Sequence, residues 1–100
     1  MRETTIDQLA EALEQGAALV DVREPSEYRD GHVPGARNIP MGQLTARLDE
    51  IDRHEPVHLV CATGNRSGAM TDVLTAQGFD ASNVVGGTSA WIRSGRPIEK

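Results

Sequence analysis

The stretch "VHLVCATGNRSGAM" (57–70) passes from an apolar segment into a helix-like one through the only cysteine of the chain. "VHLV" (57–60) reads as a strand, and Met70, Val73 and Leu74 carry the spacing of a helix that closes at Gly78. A strand that turns directly into a helix is the repeating joint of an α/β protein. Cys61 stands at that joint, either as a small core side chain or as a reactive thiol.

The same alternation extends in both directions. Ile6, Leu9, Ala10 and Leu13 fall on one helix face; Thr5 with Gln8 forms a capping box before it, and Gly16 is a natural stop. "ALVDV" (18–22) is a short strand, apolar enough to be buried on both faces. "REPSEYRDGHVPGARNIP" (23–40) contains one helical turn begun at Pro25 and ended at Gly31, with "ARNI" (36–39) as a brief strand. Leu44, Leu48 and Ile51 are spaced for a further helix. "NVV" (83–85) is the last strand, and a short helix from Thr88 to Ser94 stops before Gly95. Strands alternating with helices predict a mainly parallel, doubly wound sheet covered on both faces.

The bulk numbers set bounds on that fold. A chain of 100 residues, 38% hydrophobic and 25% charged, is expected to fold as one domain over 1–100. A net charge of −5, with the ten basic residues scattered, disfavours nucleic acid as a partner. One cysteine forms no internal disulfide, so no oxidising compartment is required. The start, "MRETTIDQLAEALEQG", carries Asp7, Glu11 and Glu14 and lacks the apolar core of a signal peptide. No apolar stretch approaches the roughly 18 residues of a membrane span. A cytoplasmic protein without a membrane partner is the expectation.

In parallel sheets the reactive crevice lies beyond the carboxyl ends of the strands, and Cys61 follows Val60 at such an end. Gly64 permits a tight turn there. Such a turn points successive amides inward, and the following helix adds the positive end of its dipole. An anion at the centre is stabilised, so a Cys61 thiolate is favoured and its pKa should fall below about 8.5. Four residues separate Cys61 from Arg66. Cysteine-dependent phosphatases and the related arsenate reductases place five there; the shorter ring suits one extra sulfur better than a tetrahedral oxyanion.

Asp21, Arg23 and Glu27 in "DVREPSEY" read first as an ion-pair set that fastens the loop after a strand, with Asp21 the best candidate to face the crevice behind Cys61. His32 reads as a hydrogen-bonded structural histidine. His54 and His58 lack ligand partners at metal spacing, so no metal site is expected. Gly86-Gly87 reads as a tight turn before the last helix, and Trp91 as core.

"CATGNRS" (61–67) resembles the C-x-x-G-x-R-S active-site loop of single-domain rhodaneses, the thiosulfate and persulfide sulfurtransferases. "LVDVREPSEYRDGHVPGARNIP" (19–40), "QGF" (77–79) and "GGTSAW" (86–91) are similar to that family in order and spacing. The resemblance implies an open, doubly wound α/β fold with five parallel strands and helices on both faces. It implies that Cys61 accepts sulfane sulfur as a persulfide and that Ala62, Thr63, Gly64, Asn65 and Arg66 form the loop that binds it. Ser67 would start the helix behind it; Asp21 and Arg23, from their place just after a strand, are candidates to support the pocket from outside this loop. The implied reaction is ping-pong, from a small sulfur donor to cyanide, a thiol or a sulfur-accepting protein, with no metal or organic cofactor. Two other readings stand beside it: a non-catalytic, regulatory module of the same family, and a small cysteine-dependent phosphatase or arsenate reductase. Some thiosulfate-specialised members carry basic residues at the second or fourth loop position. Here those are Ala62 and Gly64, which leaves Arg66 as the loop's only cation and makes a persulfide or polysulfide donor at least as suitable as thiosulfate.

Overall fold

The structure, a computed structural model, describes residues 1–100. Five strands form one sheet: β1 (Glu3–Thr4), β2 (Ala18–Asp21), β3 (Arg37–Asn38), β4 (Val57–Val60) and β5 (Ala81–Val84). Their order is β1-β5-β4-β2-β3 and every pairing is parallel. The helices are α1 (Ile6–Glu14), α2 (Pro25–Asp30), α3 (Asn65–Ala76) and α4 (Gly87–Arg93), with a 3-10 segment over Met41–Glu50. The capping box at Thr5 and Gln8 is present, and Pro25 occupies the first turn of α2. The doubly wound parallel fold expected from the alternation is therefore the observed one.

Alternation along the central strands divides the core in two. Val20, Val57, Leu59 and Cys61 face Met70 and Leu74 of α3 and Leu44 of the 3-10 segment. Leu19, Val60 and Val84 face the other way, against Leu9 of α1 and Trp91 of α4. Period-two geometry thus puts the Cys61 side chain on the α3 face, two residues beyond Leu59. Trp91 is core, as expected, and its indole N–H donates to the Pro97 carbonyl at 2.8 Å.

Four details differ from the sequence reading. β1 has two residues and no periodicity to betray it. β5 spans Ala81–Val84 rather than 83–85, because polar Ser82 and Asn83 are buried strand residues. The segment at Met41–Glu50 is 3-10 rather than α-helical, with non-helical backbone at Arg47. α3 begins at Asn65, so Arg66 lies in its first turn instead of in the loop. No helix is long and apolar enough to cross a membrane.

Topology creates one crevice. The chain leaves β2 through α2, whose Tyr28 packs on the α1–α4 face, and goes outward to β3. It leaves β4 through α3 on the opposite face and goes outward to β5. Connections that diverge between neighbouring strands open a cleft at their carboxyl ends. The segment after β2 and the segment after β4 are its two walls.

The wall after β2 is built on a buried ion pair. The Asp21 side chain is 0% exposed; its carboxylate accepts from Arg23 Nε at 3.0 and 3.1 Å, from a terminal guanidinium nitrogen at 2.8 Å and from the Arg23 amide at 3.0 Å. The same guanidinium donates to the Gly31 carbonyl at 2.8 Å, tying both ends of α2 together. Removing one member of such a pair strands an uncompensated charge, which costs about 3–5 kcal/mol. Arg23→Ala should lower the urea-unfolding free energy by about that amount, whereas Asp21→Leu combined with Arg23→Met should recover most of the loss. Equal losses in both variants would contradict this account.

Candidate active site

The loop from Cys61 to Gly64 leaves β4 and is captured on three sides. Gly64 adopts φ +111°, ψ −9°, a left-handed conformation that turns the chain into α3. The Gly64 amide donates to Cys61 Sγ at 3.1 Å. The Ser67 hydroxyl lies 3.3 Å from the same sulfur. Cys61 itself is only 1% exposed, at the floor of this bowl. It belongs at once to the apolar cluster beneath α3 and to the polar loop above.

Ser67 is held from behind by a residue that the sequence did not single out. Asn83 of β5 accepts from the Ser67 hydroxyl through Oδ1 at 2.6 Å, and its Nδ2 donates to the Gly64 carbonyl at 3.2 Å. One amide side chain thereby fixes both ends of the turn. The Ser67 hydroxyl has a single hydrogen, so it serves either Asn83 or the sulfur, and ionisation of the thiol favours the latter. The legible signal was a polar residue inside an apolar strand.

Burial pushes the Cys61 thiol pKa up, but the Ser67 hydroxyl and the amides of Ser67, Gly64 and Thr63 outweigh it; the net shift is downward. Hydrogen bonds thus make a buried sulfur easier to ionise than a free thiol, which is the property a nucleophilic thiol requires. Ser67→Ala removes the side-chain donor, so the midpoint of the pH profile for iodoacetamide alkylation should move up, by up to about one unit. An unmoved midpoint would mean that the amides alone hold the thiolate.

A second support comes from the segment after β5. The Thr88 amide donates to the Cys61 carbonyl at 2.8 Å, and the Ser89 amide to the Ala62 carbonyl at 3.0 Å. Gly87 passes so close that a Cβ placed there would lie 2.5 Å from the Cys61 oxygen and 2.6 Å from the Ala62 oxygen. The Gly86-Gly87 pair, expected to be only a turn, therefore also clamps the backbone that carries the sulfur.

The remaining residues separate. Arg66 points across the crevice to α2, where its guanidinium donates to both Glu27 oxygens at 2.8 and 3.0 Å. That hydrogen-bonded pairing holds the Glu27 carboxyl at a pKa of about 2 and raises the Arg66 pKa. Glu27 thus leaves the Asp21–Arg23 set in which the sequence placed it. Asp21 and Arg23 hydrogen-bond with each other and with the chain around α2, not with the loop. Ala62 is half-buried, while Thr63 and Asn65 are exposed. His32 stacks on Tyr28 with ring centroids 3.6 Å apart and bonds the Tyr28 carbonyl at 2.8 Å. No group of three or more His, Cys, Asp or Glu side chains is placed to hold a metal ion.

Comparison with known proteins bears on this geometry. The family model described as the rhodanese-like domain matches residues 5–94. Bacillus subtilis YqhL, a protein of uncharacterised activity, is 45% identical over 76 residues, which are 75% of this chain and 60% of that one. YrkF of the same bacterium, named as a candidate sulfur carrier protein, is 35% identical over 74 residues, 73% of this chain and 40% of that one. The matched part of this chain therefore corresponds to less than two thirds of either relative. The crystal structure of a rhodanese-related protein from Thermoplasma volcanium superposes with a TM-score of 0.93 at 31% identity, covering 99% of this chain and 98% of the other. A protein from Rhodopseudomonas palustris, described as of unknown function and a candidate tyrosine phosphatase, superposes with a TM-score of 0.87 at 26% identity, covering 99% and 85%.

Proposed function

The chain belongs to the rhodanese-like domain family, and on that premise we propose that it is a sulfurtransferase working through a Cys61 persulfide. The observation that carries this reading is the Cys61 sulfur, held by loop amides and the Ser67 hydroxyl in a bowl closed by a four-residue Cys–Arg spacing.

The Cys61 thiolate attacks the terminal sulfur of a donor. A new S–S bond forms on Cys61 while the donor's own S–S bond breaks, and the leaving thiolate or sulfite takes the bonding pair. The outer sulfur of the persulfide then sits where the loop amides point, and its negative charge is stabilised there. An acceptor thiolate or cyanide attacks that outer sulfur, and the Cys61 thiolate is regenerated. A thiolate attacking sulfur needs no general base, which fits a bowl with no histidine in it. Near-complete burial of Cys61 favours a donor that presents a single terminal atom. A sulfane sulfur does so; a phosphoryl group must also admit three oxygens.

The second reading, a cysteine-dependent phosphatase, draws on the candidate tyrosine phosphatase among the structural neighbours. Weighing the intact protein after incubation with thiosulfate or a thiol persulfide separates the two. A gain of one sulfur atom that cyanide removes is the expected result. No uptake from any donor would overturn the sulfurtransferase reading, and turnover of an aryl phosphate would favour the phosphatase. A non-catalytic binding module would show neither.

A further inference from the structure

Arg66 is the one cation beside the Cys61 bowl, and it is already occupied. Both of its terminal nitrogens are engaged by Glu27 in a fork-to-fork arrangement, so the carboxylate offsets the guanidinium charge and leaves only the Nε–H edge for a second anion. The pair spans the crevice between the β2 and β4 walls, with about a third of each side chain exposed (36% and 35%). Glu27 hydrogen-bonds also to the Glu24 amide at 3.0 Å, in the capping box of α2, so its carboxylate is aimed by the helix that carries it. Ala62 and Gly64 add no positive charge, and the chain as a whole carries −5.

We propose that Glu27 is a donor-specificity residue: by neutralising Arg66 at the mouth of the bowl, it selects sulfur donors of low charge and rejects dianions. This rests on the sulfurtransferase reading and names the substrate class of that same site. A dianion such as thiosulfate meets a carboxylate at the entrance and a guanidinium whose charge is spent. A persulfide or polysulfide end bearing one negative charge is repelled about half as strongly and relies on the amides for its terminal sulfur. Glu27 stays ionised through the neutral range, so the selection is constant there and not a pH switch.

The test compares wild type with Glu27→Gln, using cyanide as common acceptor and either thiosulfate or a monoanionic alkyl persulfide as donor. Glutamine keeps an acceptor for Arg66 and removes the charge. The thiosulfate kcat/KM should rise about tenfold, the persulfide value should change less than about threefold, and the difference should shrink as salt is added. Glu27→Gln combined with Arg66→Met should lose the thiosulfate gain, because the effect acts through the guanidinium. Glu11→Gln, an equal charge change on exposed α1, should leave the donor ratio unmoved. If Glu27 only braces Arg66, both donors fall together in Glu27→Gln, and the proposal is overturned. An unchanged ratio with normal sulfur uptake overturns it as well, while leaving the sulfurtransferase reading intact. Absence of uptake from both donors in wild type removes that reading and this one with it. Melting curves confirm that each variant is folded.

Discussion

Cys61→Ser is expected to abolish sulfur uptake and transfer altogether while leaving the fold in place. An alcohol does not ionise appreciably near neutral pH, and an oxygen cannot carry the sulfane sulfur through an S–S bond, so the covalent step has no substitute. Loss by several orders of magnitude, to the limit of detection, follows from removing a nucleophile rather than a helper. The structural cost is small. The serine hydroxyl can accept from the Gly64 amide as the sulfur does, and it introduces one polar atom at the edge of an apolar cluster, a change of about 1 kcal/mol. Intact mass and a thermal melt on the same sample separate chemistry from folding. Turnover surviving in this variant would place the reaction elsewhere in the molecule.

The same comparison gives a pH signature. The Cys61 thiol titrates below its ordinary value in the folded protein. A group with a depressed pKa contributes stability that is present above its unfolded pKa and is lost as the pH falls through its folded pKa. Wild type should therefore gain stability relative to Cys61→Ser as the pH rises from the folded thiol pKa toward that of a free thiol. Urea midpoints measured across that window check the sign; a wild-type protein that weakens relative to the variant would contradict the cradle.

Legibility differed between the fold and the site for a physical reason. The fold was written in local periodicity: "ALVDV" and "VHLV" are apolar because both faces of a central parallel strand are covered, and α1 shows one apolar stripe with a cap. Where the pattern was short or mixed, reading failed. β1 is too brief to have a period, and Asn83 looked like a strand boundary although it is a buried strand residue bound to Ser67 and Gly64. The Met41–Glu50 segment kept a helical spacing of leucines but not helical backbone at Arg47. At the site, the loop from Cys61 to Ser67 was legible because its residues are consecutive. The partner of Arg66 was not. Glu27 is 39 residues away, and only the sheet order, which makes β2 and β4 neighbours, brings α2 opposite the first turn of α3. Local sequence suggested that Glu27 joins Asp21 and Arg23, since all three lie within one short segment. Tertiary placement assigned it across the crevice.

Gly87 is where that tertiary placement is least forgiving. Gly87→Ala should destabilise the protein by about 3 kcal/mol or more and remove most of the activity, although the residue touches no substrate. Two costs combine. The backbone has φ +60°, a left-handed conformation worth about 1–2 kcal/mol against any residue with a Cβ. The new methyl would also lie 2.5 Å from the Cys61 oxygen and 2.7 Å from the Ala62 carbonyl carbon, and both are backbone atoms that cannot rotate away. Relief requires the two segments to part, which breaks the Thr88–Cys61 and Ser89–Ala62 hydrogen bonds and frees the peptide that carries the sulfur. Gly16→Ala provides the contrast. Its φ of +85° imposes a similar conformational cost, but nothing lies within 4 Å of the added Cβ. That variant should lose only about 1–2 kcal/mol and keep both its sulfur uptake and its alkylation profile. In Gly87→Ala the alkylation midpoint should instead climb toward that of a free thiol under conditions where the chain is still folded, because the amides lose their aim before the sheet loses its core. A Gly87→Ala protein with wild-type stability and an unshifted thiol would show that the clamp behind Cys61 is dispensable.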